Sequence, residues 1–91
     1  MNLEELRKQI DEIDSEMMIL FKKRMSVSLQ IGEYKRANNV PILDASREFE
    51  MMFKKKKELN DDLLWPYYES FIKDLMSLSK VYQKWAKDMV L

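Results

Sequence analysis

Residues 3–36 read LEELRKQIDEIDSEMMILFKKRMSVSLQIGEYKR, and this stretch decides the fold. Leu3, Leu6, Ile10, Ile13, Met17 and Leu20 recur at alternating steps of three and four, the spacing of a heptad seam on one helix face. The rhythm continues through position 24, Val27, Ile31 and Tyr34. Glu4 and Lys8 stand four apart in the favourable order for a surface pair. Nothing interrupts the pattern before Asn38-Asn39-Val40-Pro41, a helix stop followed by a short loop. One helix of about 3–36 would be on the order of 50 Å long at 1.5 Å per residue.

The rest of the chain gives two more helices. Asp44 is placed to cap a second one over about 45–59, with apolar positions Phe49, Met52 and Phe53. Asn60-Asp61-Asp62 is the next polar break. A third helix over about 66–89 carries Tyr68, Phe71, Leu75, Leu78, Tyr82, Trp85 and Met89, again at threes and fours. The expected fold is all-α, with residues 1–91 forming a single domain. A globule of this length should have a radius of gyration of only ~12–13 Å. A 50 Å helix cannot bury its whole seam inside such a globule. Packing of the long helix against a second copy, in an intertwined homodimeric helical bundle, would cover it.

Composition narrows the chemistry. The chain has 91 residues, one Gly and two Pro, too little turn material for a β sandwich or barrel. Sixteen basic residues balance sixteen acidic ones, so no net field favours nucleic acid or a membrane surface. The patch Lys54 to Lys57 lacks interleaved aromatics and reads as a solvated face. Cys and His are absent, which removes disulfides, thiolate zinc sites, a thiol nucleophile and the commonest general base. No apolar run approaches ~20 residues, and the N-terminus is too charged for a secretory signal, so a cytoplasmic protein is expected.

Polar residues then appear where the pattern wants apolar ones. Arg24 occupies a seam position, and Lys35 lies eleven residues on, close to three full turns, so the two cations share a face. An isolated seam Arg usually snorkels or pairs with a carboxylate. On the third helix, Ile72, Met76, Ser79, Gln83 and Ala86 line a second face, with Ser79 and Gln83 four apart. Taken singly, these two make a small interhelical hydrogen-bond network. Asp44, Arg47 and Glu48 open the second helix as a cap with a local ion pair. Taken together, Arg24, Lys35, Arg47, Glu48, Ser79 and Gln83 could converge into a pocket for a small polyanion bearing hydroxyls. Arg7 lies seventeen residues before Arg24, ~25 Å along the axis, so one small ligand cannot touch both on one helix. In an antiparallel dimer, Arg7 of one chain could reach the pocket of the other.

The segments Leu6-Arg7-x-x-Ile10-Asp11-x-x-Asp14, Arg24, Ile31-Gly32-x-x-Lys35, Pro41-Ile42-x-Asp44-x-x-Arg47-Glu48 and Ser79-x-x-x-Gln83 span essentially the whole chain. In order and spacing they resemble the all-helical chorismate mutases, small three-helix proteins that form intertwined dimers. The resemblance implies a Claisen rearrangement of chorismate to prephenate, on the route to Phe and Tyr. It implies that Arg24 and the partner chain's Arg7 bind the two carboxylates of the substrate, with Arg47 adding to the cationic wall. It implies that Lys35 and Gln83 hydrogen-bond the ether oxygen of the breaking C–O bond, that Glu48 holds the ring hydroxyl and that Ser79 supports a carboxylate. The Asp44 backbone would lie close to the ligand. No metal or cofactor is implied. Such a site needs no His or Cys, because a pericyclic rearrangement transfers no proton and needs no nucleophile.

Two other readings compete. Isochorismate-pyruvate lyases share the fold and use a related cationic pocket; the unbroken Pro41 to Glu48 motif and the Ser79/Gln83 pair favour the mutase. A helical dimerisation module without chemistry would have to bury these polar groups for no return, at about 1–3 kcal/mol each when unpaired. No fused dehydratase or dehydrogenase is expected within these residues, so feedback inhibition by an aromatic amino acid is not expected of the isolated chain. Association with another enzyme of the pathway stays open. The bulky Leu64-Trp65-Pro66 helix start has no functional account in sequence terms. Some members of the resembled family carry Glu where this chain has Gln83, and a carboxyl group must be protonated to donate a hydrogen bond. The amide donates at any pH, so activity should hold through the neutral range. Gln83→Glu should move the optimum to acid pH, and an unchanged pH–rate profile in that variant would refute the role.

Overall fold

A computed structural model describes the backbone of residues 2–88 and the side chains of residues 2–85. Three helices follow one another: α1 (Leu3–Ala37), α2 (Ala45–Leu59) and α3 (Trp65–Asp88). The starts of all three helices and the ends of α1 and α2 agree with the sequence reading to within a residue. Met89, the expected end of the third seam, and the side chain of Ala86 lie outside the described residues.

Local chemistry explains each boundary. Asn2 and Glu5 form a reciprocal capping box at the start of α1: the Glu5 amide donates to Asn2 Oδ1 at 2.9 Å, and the Asn2 amide to Glu5 Oε2 at 3.3 Å. Glu4 and Glu5 sit in the first turn and Lys35 and Arg36 in the last, each complementing the helix dipole. The helix stops where Asn39 takes a positive φ of 54° and Asn38 Nδ2 donates to the Tyr34 carbonyl at 2.8 Å. Asp44 caps α2, its Oδ1 accepting from the Arg47 amide at 3.0 Å. Asn60 closes that helix in the left-handed conformation, φ 47°. Asp61 accounts for the bulky start of α3. Its carboxylate accepts from the amides of Leu63 and Leu64, at 3.1 and 3.0 Å, and its carbonyl accepts from the Trp65 amide at 2.9 Å. Pro66 follows in the first turn, where a missing amide hydrogen costs nothing.

The helix α3 packs on the C-terminal half of α1. Phe71 shares a hollow with Asp14 and Met17, Ser79 meets Arg24, and Gln83 abuts Gly32, so the two helices run in the same direction. Their crossing is tight. A Cβ on Gly32 would stand 3.0 Å from the Gln83 carbonyl oxygen and 3.1 Å from its Cα and Cβ. The only glycine in the chain therefore marks the point where two backbones meet. The buried residues cluster there: Ser28 and Gly32 on α1, and Ile72, Ser79 and Gln83 on α3.

Three expectations about packing are corrected. On α3 the face turned inward is the one carrying Ile72, Ser79 and Gln83; of the regular seam, Phe71, Leu78 and Trp85 are exposed. The close approach at Gly32 selects the face that meets α1, and only one face can do so. On α2, Phe49 and Phe53 are exposed and the half-buried apolar residues are Met51, Met52 and Leu59. The ion pair expected locally around Glu48 runs instead to α3, as described below. The α1 seam is not covered within one chain: every residue from Asn2 to Lys23 is exposed. The molecule measures 54 × 31 × 15 Å with a radius of gyration of 16.5 Å, well above the ~12–13 Å of a compact globule of this length. No helix among the described residues is long and apolar enough to cross a membrane.

Gly32→Ala tests the crossing. The added methyl meets backbone rather than a pliable side chain, and overpacking of this kind costs about 1–3 kcal/mol. Alanine returns at most about 1 kcal/mol in helix propensity. The urea midpoint should fall; an equal or higher midpoint would show that α3 yields without cost.

Candidate active site

A hollow of about 520 Å³ opens where α1, α2 and α3 face one another. That volume suits a small organic ligand. Its wall holds Arg24 and Lys35 from α1, Asp44 from the loop, Arg47 and Glu48 from α2, and Ser79 and Gln83 from α3. These are all the site residues read from the sequence except Arg7. Apolar side chains, Val27, Ile31, Met51, Ile72 and Met76 among them, fill the space between the polar ones.

Arg24, Lys35, Asp44 and Ser79 are each held by a neighbour. Arg24 Nη1 donates to Ser79 Oγ, which in turn donates to the Leu75 carbonyl at 2.9 Å. The chain of two bonds fixes the guanidinium against α3 without a carboxylate, so its charge stays available to a ligand. Lys35 Nζ donates to the Ile42 carbonyl at 2.9 Å, tying the end of α1 to the loop that leads into α2. An ammonium group has three hydrogens, and this contact uses one of them. Asp44 spends Oδ1 on its helix cap, which sets the direction in which Arg47 and Glu48 leave the first turn of α2. Gln83 is 7% exposed, and its Oε1 finds no hydrogen-bond partner among the described residues. A buried amide left in this way is unusual in a purely structural position. The electrostatic character of the wall is cationic: Arg24, Lys35, Arg47, Lys55 and Lys80 face only Asp44 and Glu48.

Arg7 lies on the exposed N-terminal half of α1 and does not line the hollow of its own chain. The sequence reading missed Ser28 and Lys80. Ser28 stands one turn after Arg24 and one turn before Gly32, so its place on the buried face was implicit in the spacing. Lys80 follows Met76 by four, on the flank of the inward face, and reaches sideways to α2. Among the described residues no three His, Cys, Asp or Glu side chains gather as a metal site.

The family model for chorismate mutase type II matches residues 6–84. The chain belongs to that family. The match includes Arg7 at one end and Gln83 at the other, so every residue read as part of the site falls inside it. A bifunctional chorismate mutase/prephenate dehydratase of Aquifex aeolicus is 36% identical over 86 residues, covering 86% of this chain and 24% of the relative. A chorismate mutase of Methanocaldococcus jannaschii is 38% identical over 63 residues, covering 66% of this chain and 64% of the relative. The T-protein of Haemophilus influenzae is 36% identical over 56 residues, covering 62% of this chain and 15% of the relative. This chain thus spans less than two thirds of the length of each. No solved structure matches the chain significantly.

Proposed function

We propose that the protein is a chorismate mutase, rearranging chorismate to prephenate in aromatic amino acid biosynthesis. The observation that carries this reading is the convergence of Arg24, Lys35, Arg47, Glu48, Ser79 and Gln83 on one hollow, in a chain of the chorismate mutase type II family.

The reaction breaks a C–O bond and forms a C–C bond in one concerted step. It requires the enolpyruvyl tail to fold over the ring, a conformer that is scarce in solution. Arg24, held by Ser79, anchors one carboxylate, and Arg47 contributes to the same cationic wall. Glu48 accepts a hydrogen bond from the ring hydroxyl. Lys35 and the Gln83 amide approach the ether oxygen, where negative charge grows in the transition state. Fixed donors aimed at growing charge stabilise the transition state more than the ground state, which is what raises the rate. The Asp44 backbone completes the rim near the ligand.

The reading extends to assembly. Leu6, Ile10, Ile13, Met17 and Leu20 form an apolar stripe that the chain leaves 43–62% accessible. We assign it to a homodimer in which Arg7 of one protomer enters the hollow of its partner and binds the second carboxylate. The protein works in the cytoplasm, and the bifunctional relative is the precedent for an association with another activity of the pathway.

Purified protein should consume chorismate, followed by its ultraviolet absorbance, with prephenate as product. Lys35→Ala should lower the rate by about 10²–10³, the usual loss for one such donor. A folded wild-type protein that leaves chorismate intact but releases pyruvate from isochorismate would replace this reading with the lyase. The dimer makes a separate prediction. Arg7→Ala and Arg24→Ala should each be nearly inactive alone. Unfolded together and refolded, they should recover up to about a quarter of wild-type activity, because mixed dimers carry one intact site. No recovery, with mixed dimers present, would place Arg7 outside the site.

A further inference from the structure

Lys80 is a charged residue of the hollow to which the proposed mechanism gives no role. Its Nζ lies 2.9 Å from Glu48 Oε1, and the two side chains are 33% and 29% exposed. The other two ion pairs among the described residues, Lys55–Glu58 and Lys73–Glu69, are short-range pairs within one helix. The Lys80–Glu48 pair instead joins α3 to α2. Little else does so, because α2 rests lightly on α3 and makes no comparable contact with α1.

The position has an electrostatic consequence. Glu48 is a negative group on the wall of a hollow read as holding a dicarboxylate. Like charges at short range repel strongly where water is partly excluded. A bare Glu48 would therefore oppose the ligand it is meant to orient. The Lys80 ammonium offsets that charge. It also occupies Oε1 and leaves Oε2 as the oxygen that can accept from a hydroxyl. We propose that Lys80 is a positioning residue: it neutralises Glu48 and fixes its carboxylate, so that Glu48 receives a substrate hydroxyl without repelling the substrate carboxylates. This inference rests on the chorismate mutase reading.

The test is the steady-state kinetics of Lys80→Met and Lys80→Arg with chorismate, in wild-type and Glu48→Gln backgrounds. Lys73→Met, on the outer surface of α3, serves as the control. Lys80→Met keeps the side-chain stem and removes the charge. Its KM should rise about five- to twentyfold, the size of a charge-assisted contact at a partly screened site, with kcat changed less than about twofold. Lys80→Arg should restore most of the affinity. In the Glu48→Gln background, Lys80→Met should raise KM no further, because a neutral amide repels nothing. A wild-type KM in Lys80→Met would overturn the proposal. So would an equal rise in both backgrounds, which would mean that Lys80 meets the ligand directly. Loss of helical circular dichroism in both Lys80→Met and Lys80→Gln would overturn it too, making Lys80 a structural tie. Wild-type protein inactive on chorismate would remove the functional reading itself, an outcome distinct from an active wild type with an unaffected variant.

Discussion

The contact between Gly32 and Gln83 sets the position of everything else. Two helices can approach this closely only where one offers no side chain, and α1 offers Gly32. That approach fixes the rotation of α3 about its axis. The rotation in turn brings Ser79 against Arg24 and directs Gln83 into the hollow. A residue with a side chain at position 32 would push Ser79 and Gln83 of α3 away from the two cations of α1. The glycine thus acts on the site without touching a ligand.

The second constraint is charge. Five cations around two carboxylates repel one another, and the protein holds four of them through neutral or paired contacts. Arg24 is held by a hydroxyl and Lys35 by a carbonyl, so neither charge is cancelled. Lys80 is matched by Glu48, and Lys55 by Glu58. A cationic wall of this kind favours an anionic ligand, and a hollow of about 520 Å³ suits a small one. The helix α2 depends on the same contacts. The Lys80–Glu48 ion pair ties it to α3, beside the half-buried Met51 and Met52.

The third feature is what the chain leaves uncovered. A helix of 35 residues runs the length of the molecule, and every residue of it up to Lys23 is exposed. Apolar hollows beside α3, one of about 510 Å³ lined by Met17, Phe21, Phe71 and Leu78, continue the same surface. Exposed apolar area of this extent marks an interaction surface in a soluble domain. In the proposed dimer, assembly and catalysis are one problem, because the exposed stretch of α1 is the one that carries Arg7.

The sequence by itself determined the three helices, their starts and most of the polar membership of the hollow, Ser28 and Lys80 excepted. Helical periodicity, the Asn, Asp and Pro punctuation and the polar intrusions at Arg24, Ser79 and Gln83 are local signals, and local signals are written residue by residue. Only the tertiary structure decided which face of α3 turns inward, because two faces carried apolar residues and the choice depended on the backbone approach at Gly32. It also decided that Glu48 pairs with Lys80 rather than with a neighbour on its own helix. That partner lies 32 residues away, beyond the reach of any spacing rule, and the pairing exists only because the packing of α3 brings the two side chains to the same wall.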